Sequence, residues 1–191
     1  MKRILLTVLS IMLFSACSTE VIPTATPLPV IVVDEILFEQ IVNDGRAYTS
    51  KDFFDVGFKE YKEYNVSKLT GATEAWYGYW GENEDSVKYY ELRLYPDHST
   101  AISDGTPFAK DATGEDAKLR RQDTMWRVGL TDRKRSGVCT LGSVSVNRNC
   151  GERIWKYADY IIFNNVIMLC KGEDSNEAFK LCNDLIDLVS K

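Results

Sequence analysis

The spacing of apolar positions changes several times along this chain, and each change marks an element. Over 34–43 (DEILFEQIVN), Ile36, Leu37, Ile41 and Val42 recur at helical intervals, with two acids at the start and Gly45 past the end, which predicts a short helix. Thr49 and Asp52 have the spacing of a capping box, and Phe54, Phe58, Tyr61 and Tyr64 form one stripe, so a second helix is predicted over 51–65, weakened by Gly57. From Ala75 the character changes: 75–80 (AWYGYW) is aromatic and β-favouring, 81–86 is a turn-rich acidic loop, and 87–95 reads as a long strand, together a hairpin. On the second strand Tyr90, Leu92 and Leu94 share one face while Tyr89, Glu91 and Arg93 share the other, the pattern of a sheet with one face covered and one wet.

Asp97 then stands as a helix cap after Pro96, and the helix it starts runs toward Ala112, with Gly105-Thr106-Pro107 breaking or restarting it. Strands are predicted around 124–130 and 138–146, joined by a basic turn containing Gly137. A second hairpin follows, 153–163 and 166–170, around Asn164-Asn165, a pair that tolerates positive φ in a tight turn. Asp174 or Ser175 caps a last helix whose stripe is Ala178, Phe179, Cys182, Leu185, Ile186 and Val189. Hairpins followed by helices predict an α+β fold: a two-layer sandwich in which an antiparallel sheet of hairpins carries helices packed on one face, formed by one domain over 34–191.

Composition adds that the domain is rich enough in aromatics, 12% of the chain, to bury a core. The net charge of −5 argues against nucleic acid as a partner and against adhesion to anionic lipid. One segment runs the other way. Lys118, Arg120, Arg121, Arg127, Arg133, Lys134 and Arg135 are accompanied only by Asp123 and Asp132, a candidate patch for an anionic ligand, although such runs are more often the solvated side of strands and loops.

The N-terminus carries an address. Lys2 and Arg3 precede Ile4 to Phe14, an apolar run interrupted only by Thr7 and Ser10 and too short to span a bilayer. Ser15-Ala16-Cys17 follows, and the whole resembles the lipobox signal of bacterial lipoproteins, departing from it at Phe14, where leucine is usual. The resemblance implies removal of residues 1–16, lipidation of Cys17, and a membrane-anchored protein on the extracytoplasmic face of the bacterial cell envelope. Removal of Lys2 and Arg3 would leave 21 basic against 28 acidic residues, a charge near −7. Residues 17–33 contain three of the five prolines among Thr and Ser, an extended tether. With Cys17 set aside the remaining cysteines are even in number; of the three possible pairings the local ones, Cys139–Cys150 and Cys170–Cys182, each close a loop of about a dozen residues. Zinc is disfavoured because no CxxC pair occurs.

Catalytic signatures are sparse. His98 is the single histidine and sits at a helix-starting turn, and no GxSxG, phosphate-cradling glycine loop or HExxH is present, so no catalytic residue, metal or cofactor is indicated. Glu82, Glu84 and Asp85 read as a solvated hairpin tip, since their spacing is not that of a calcium loop. Alternation on the first strand points Trp76 and Trp80 one way and Tyr77 and Tyr79 the other, so one pair faces away from the core if the sheet has a wet face. Those four rings with Arg120, Arg121 and Arg127 are the candidate ligand surface. A non-catalytic binding or envelope-accessory module is therefore expected, with a glycan, an anionic ligand or an envelope protein as the partner classes. The alternatives are a hydrolase of cell-wall or polysaccharide material using Glu91 and Asp159 as its carboxylate pair, and a purely structural envelope lipoprotein.

Overall fold

The computed structural model describes residues 38–81, 86–135 and 155–191. The leader, Cys17, the tether, the acidic tip at 82–85, the expected strand at 138–146, Cys139 and Cys150 lie outside these residues. In chain order the elements are β1 (Ile41–Val42), α1 (Ser50–Asp55), β2 (Lys59–Glu63), β3 (Glu74–Trp80), β4 (Lys88–Leu94), α2 (His98–Thr100), a π-helical turn (Ala101–Gly105), α3 (Thr106–Lys110), β5 (Tyr157–Phe163), β6 (Val166–Lys171) and α4 (Ser175–Val189). The strands form one six-stranded open sheet in the order β1-β5-β6-β4-β3-β2. The fold is α+β, and its sheet is antiparallel except at one edge, where β1 runs parallel to β5.

Two of the helices read from spacing are corrected by that sheet. Ile41 and Val42 are strand, not helix: Ile162 N–H donates to Gln40 O and Asn164 N–H to Val42 O, and a place in a ladder outweighs a helix too short to stand alone. The helix expected over 51–65 stops at Asp55. Gly57 at φ +93° reverses the chain, and Lys59–Glu63 becomes a charged, fully exposed edge strand, a form that resists further pairing. The start of α1 is as read, with the Asp52 carboxylate accepting from the Thr49 N–H at 2.7 Å.

The β3–β4 hairpin pairs Glu74 with Leu94 through Trp80 with Lys88. Tyr90, Leu92 and Leu94 meet Ile161, Phe163, Met168 and Cys170 on one face, under Phe53 of α1 and the α4 stripe Ala178, Cys182, Leu185, Ile186 and Val189. Asp174 caps α4 by accepting from Glu177 N–H, and a Cys170–Cys182 disulfide ties the helix to β6 with Cα atoms 5.7 Å apart.

The other face, expected to be wet, is covered over β5, β6 and the middle of the β3–β4 hairpin, and stays half-exposed at Tyr79 and Tyr89. Tyr160, Ile162, Ile167 and Leu169 pack against Ala101, Ala109 and Ala112 of the second helical layer, and Ala75 packs with Tyr64, Leu69 and Trp126. β5 and β6 (YADYIIF, VIMLCK) are near-continuous apolar runs because they are buried on both sides. No strand forms at 124–130. The stretch is a succession of turns, with Thr124 N–H bonded to Arg120 O and Arg133 N–H to Gly129 O, and Gly129 at φ +74° breaks the extended pattern so that Trp126 drops into the core. The β5–β6 turn does use positive φ, at Asn164 (+52°), and Asn165 Nδ2 donates to the carbonyls of Tyr48 and Tyr95. Leu37–Lys191 forms one unit by its own contacts. No helix among the described residues is long and apolar enough to cross a membrane.

Candidate functional site

Strand alternation collects tyrosines on the second face of the sheet. Tyr77 and Tyr79 of β3 and Tyr89 of β4 share it, with Tyr79 and Tyr89 in register, and Tyr61 of the exposed edge strand leans in beside them. Ring centroids are 5.8 Å apart for Tyr77–Tyr89, 6.1 Å for Tyr79–Tyr89 and 5.9 Å for Tyr61–Tyr77. Lys156, just before β5, lies across this platform: its Nζ stands 4.9 Å from the Tyr77 centroid and 5.6 Å from that of Tyr89, and donates to Tyr77 Oη at 3.2 Å.

With Lys171 and Arg135, these residues line a groove of about 330 Å³. Three of the five lining residues are cations and the other two are phenol rings; Arg135 also reaches Glu173 at 3.2 Å. Burial pushes the Lys156 ammonium below the usual lysine pKa, against the opposing pull of Asp132 and Glu91. Burial, then the neighbouring Tyr89, pushes Tyr77 up to about 12, so its ring remains a neutral phenol. The arrangement offers flat apolar faces, hydroxyls and positive charge together.

Beside the groove lies a closed ionic centre. Glu91, paired with Tyr77 across the hairpin, is fully buried. Its Oε2 accepts from Arg133 Nε at 2.8 Å, while Oε1 accepts from Arg133 Nη2 at 2.9 Å and from Arg93 Nε at 2.8 Å. Arg133 Nη1 donates to Trp126 O, and both guanidiniums face the Trp126 ring, at 4.4 Å for Arg133 and 5.2 Å for Arg93. Burial alone would raise the Glu91 pKa, but Arg133 and then Arg93 overcome it and hold the carboxyl below the ordinary range.

The residues singled out from the sequence are not one surface. Tyr77 and Tyr79 belong to the tyrosine platform, but Trp76 and Trp80 point to the opposite face, where Trp76 meets Phe54 edge-on at 5.3 Å. Trp80 borders a larger recess, about 470 Å³, whose Lys88, Lys191, Asp184 and Asp187 compensate one another and give it no preference of sign. Arg120, Arg121 and Arg127 are exposed in the turns of 111–133 and do not line the groove. Asp159 bonds to Gln40 and to Tyr160 N–H, facing a shallow recess with Glu115 and Asp116, whereas Glu91 is sealed among arginines, so the two do not form an open carboxylate pair. His98 Nδ1 lies 2.6 Å from Asn164 O at its turn. Tyr89, Lys156 and Lys171 escaped notice in the sequence. Tyr89 was visible as the platform's partner by period two, but Lys156 and Lys171 join it only through the β5–β6 pairing, in which Tyr157 stands opposite Lys171.

This geometry defines a small α+β domain with a basic, tyrosine-lined groove and an ionic core. The chain belongs to DUF6810, a family of unknown function, whose model matches residues 49–191. No curated protein matches the chain, and no solved structure does.

Proposed function

We propose that this chain is a lipid-anchored protein of the bacterial envelope whose domain binds an anionic carbohydrate in the Tyr77–Tyr89–Lys156 groove and does not act as a catalyst. The groove carries the reading: phenol rings offer apolar faces to the C–H side of a sugar ring, and Lys156 and Lys171 answer a carboxylate or sulfate with charge-assisted bonds. The resemblance of Ser15-Ala16-Cys17 to a lipobox supports the anchoring, and the Pro/Thr stretch after it supports a domain held away from the lipid surface. Durable anchoring would require more than one acyl chain on Cys17.

The binding reading is tested by titrating the purified protein with acidic and neutral oligosaccharides of equal length. Acidic ones should bind more tightly, and Lys156→Met should weaken them by about ten- to a hundred-fold, the worth of a hydrogen bond to a charged group. Equal binding of both classes, or an unaffected Lys156→Met variant, would refute it. The anchoring is tested separately: Cys17→Ser should abolish labelling by a fatty-acid probe and release the protein from the membrane fraction.

A further inference from the structure

The ionic core beside the groove is unbalanced. Arg93, Arg133 and Glu91 are all buried to within 1% of full burial, so two cations share one carboxylate out of reach of solvent. Arg133 takes both oxygens of that carboxylate in a fork, Nε to Oε2 and Nη2 to Oε1. Arg93 is left as the surplus cation. Its Nε holds Oε1, its Nη2 sits 2.8 Å from the same oxygen without the alignment of a hydrogen bond, and its Nη1 has no partner among the described residues. A guanidinium cannot discharge itself by losing a proton, so this positive charge persists in the folded interior.

The same layer leaves other polar atoms without partners. Trp126 Nε1, Tyr95 Oη and Tyr157 Oη are buried and unbonded among the described residues; Trp126 lies against both guanidiniums, and Tyr95 follows Arg93 on the same face of the chain, two residues along. Arginine and indole nitrogens can only donate, and tyrosine hydroxyls donate readily, so this side of the sheet holds unused donors together with a surplus of positive charge. Such a set excludes a cation. A water molecule would satisfy individual donors but would leave the charge uncompensated.

We propose that the core of this protein takes up a small monovalent anion of the halide class, bound by Arg93 with Trp126 and the buried tyrosine hydroxyls as further donors. Because Arg93, Glu91 and Tyr157 have no exposed surface, an ion held there is out of contact with solvent, which favours the smallest anions, and its release requires opening of the layer formed by residues 101–133. The site is separate from the groove: it takes a monatomic ion and would stand if the groove bound nothing.

The test uses the purified full chain at fixed pH and sodium concentration, with chloride or bromide exchanged for gluconate, which is too large to be enclosed. The melting temperature should rise with halide along a saturating curve, by on the order of 5–10 °C at a hundredfold excess over Kd. Crystals grown in bromide should show an anomalous peak within hydrogen-bond distance of Arg93. Arg93→Met should remove the halide dependence, and because that variant could fail to fold, Tyr157→Phe and Trp126→Phe provide milder changes that should weaken it. A melting temperature indifferent to halide, a linear unsaturable dependence, or water at Arg93 with no bromide signal would each overturn the proposal.

Discussion

Replacing Glu91 by Gln is the most demanding trial of the ionic core. The amide keeps one acceptor but surrenders the charge that both Arg93 and Arg133 lean on, leaving two buried guanidiniums beside Trp126 with no counter-charge between them. Breaking a buried pair by removing one partner costs about 3–5 kcal/mol, since the uncompensated charge remains inside. For a chain of this size that corresponds to a fall of roughly 6–20 °C in melting temperature. Urea unfolding followed by circular dichroism at pH 7 would measure it, with an unchanged m-value showing that the extent of unfolding is the same.

The sign of the pH dependence follows from the depressed Glu91 pKa. The folded state binds fewer protons than the unfolded one, so the stabilisation is fully present above the ordinary value of 4.5 and is lost as pH falls through the lower folded value. The gap between wild type and Glu91→Gln should therefore close in acid. Removing all three charges, with Glu91→Leu, Arg93→Leu and Arg133→Met together, should recover much of the loss, because a buried ionic cluster is rarely better than apolar packing. A Glu91→Gln variant within about 1 kcal/mol of wild type at pH 7 would refute the reasoning, as would a gap that ignores pH.

Three further outcomes are expected. Opening the Cys170–Cys182 bridge with the double change to Ser should cost about 3 kcal/mol in the chain-entropy view, seen as a lower urea midpoint. Affinity of the groove for an acidic oligosaccharide should decline as pH rises toward 10.5, because Lys156, held below that value by burial, loses its proton before a free lysine does; over the same window the unliganded domain should gain stability, since the unfolded chain then binds more protons. Asp174→Ala should destabilise α4 by about 1 kcal/mol through loss of its bond to Glu177 N–H, and Asp174→Asn should recover most of it.

What could be read from the sequence was local. The β3–β4 hairpin, the Asn164-Asn165 turn, the Asp97 and Asp174 caps and the α4 stripe all depend on neighbours within a few positions, and each appears where spacing placed it. Two failures are local, where Gly57 and Gly129 take positive φ and end the expected helix and strand; the others share a partner far along the chain. Ile41 and Val42 match a helical spacing, yet their ladder lies 121 residues away at Ile162 and Phe163. Glu91 and Arg93 alternate with apolar residues and so read as a wet face; what keeps them inside is Arg133, buried within a cationic run whose other members Arg120, Arg121 and Arg127 are the solvated residues that such a run suggests. The aromatic half of the groove was legible from period two on β3, and Arg135 belongs to the cationic run, but Lys156 and Lys171 come from the far ends of β5 and β6, and no spacing rule links residue 77 to residue 156.

The short parallel strand β1 carries a mechanical meaning. A pull on the chain ahead of Phe38 meets first the Phe38 ring against Phe179 of α4, at 6.4 Å, and then this two-residue strip, held by the two backbone bonds to β5, by Gln40 on Asp159, and by a clasp in which Asp44 N–H donates to Asn164 Oδ1 while Asn164 Nδ2 donates to Asp44 Oδ1. The family match begins at residue 49, beyond the strip, and the five antiparallel strands, the disulfide and α4 all lie past it. Tension would therefore peel β1 away before it strained the groove or the ionic core. If the chain is anchored through Cys17 as proposed, the strip is placed to act as a fuse, one that would give up a few residues of length before the rest of the sheet is loaded.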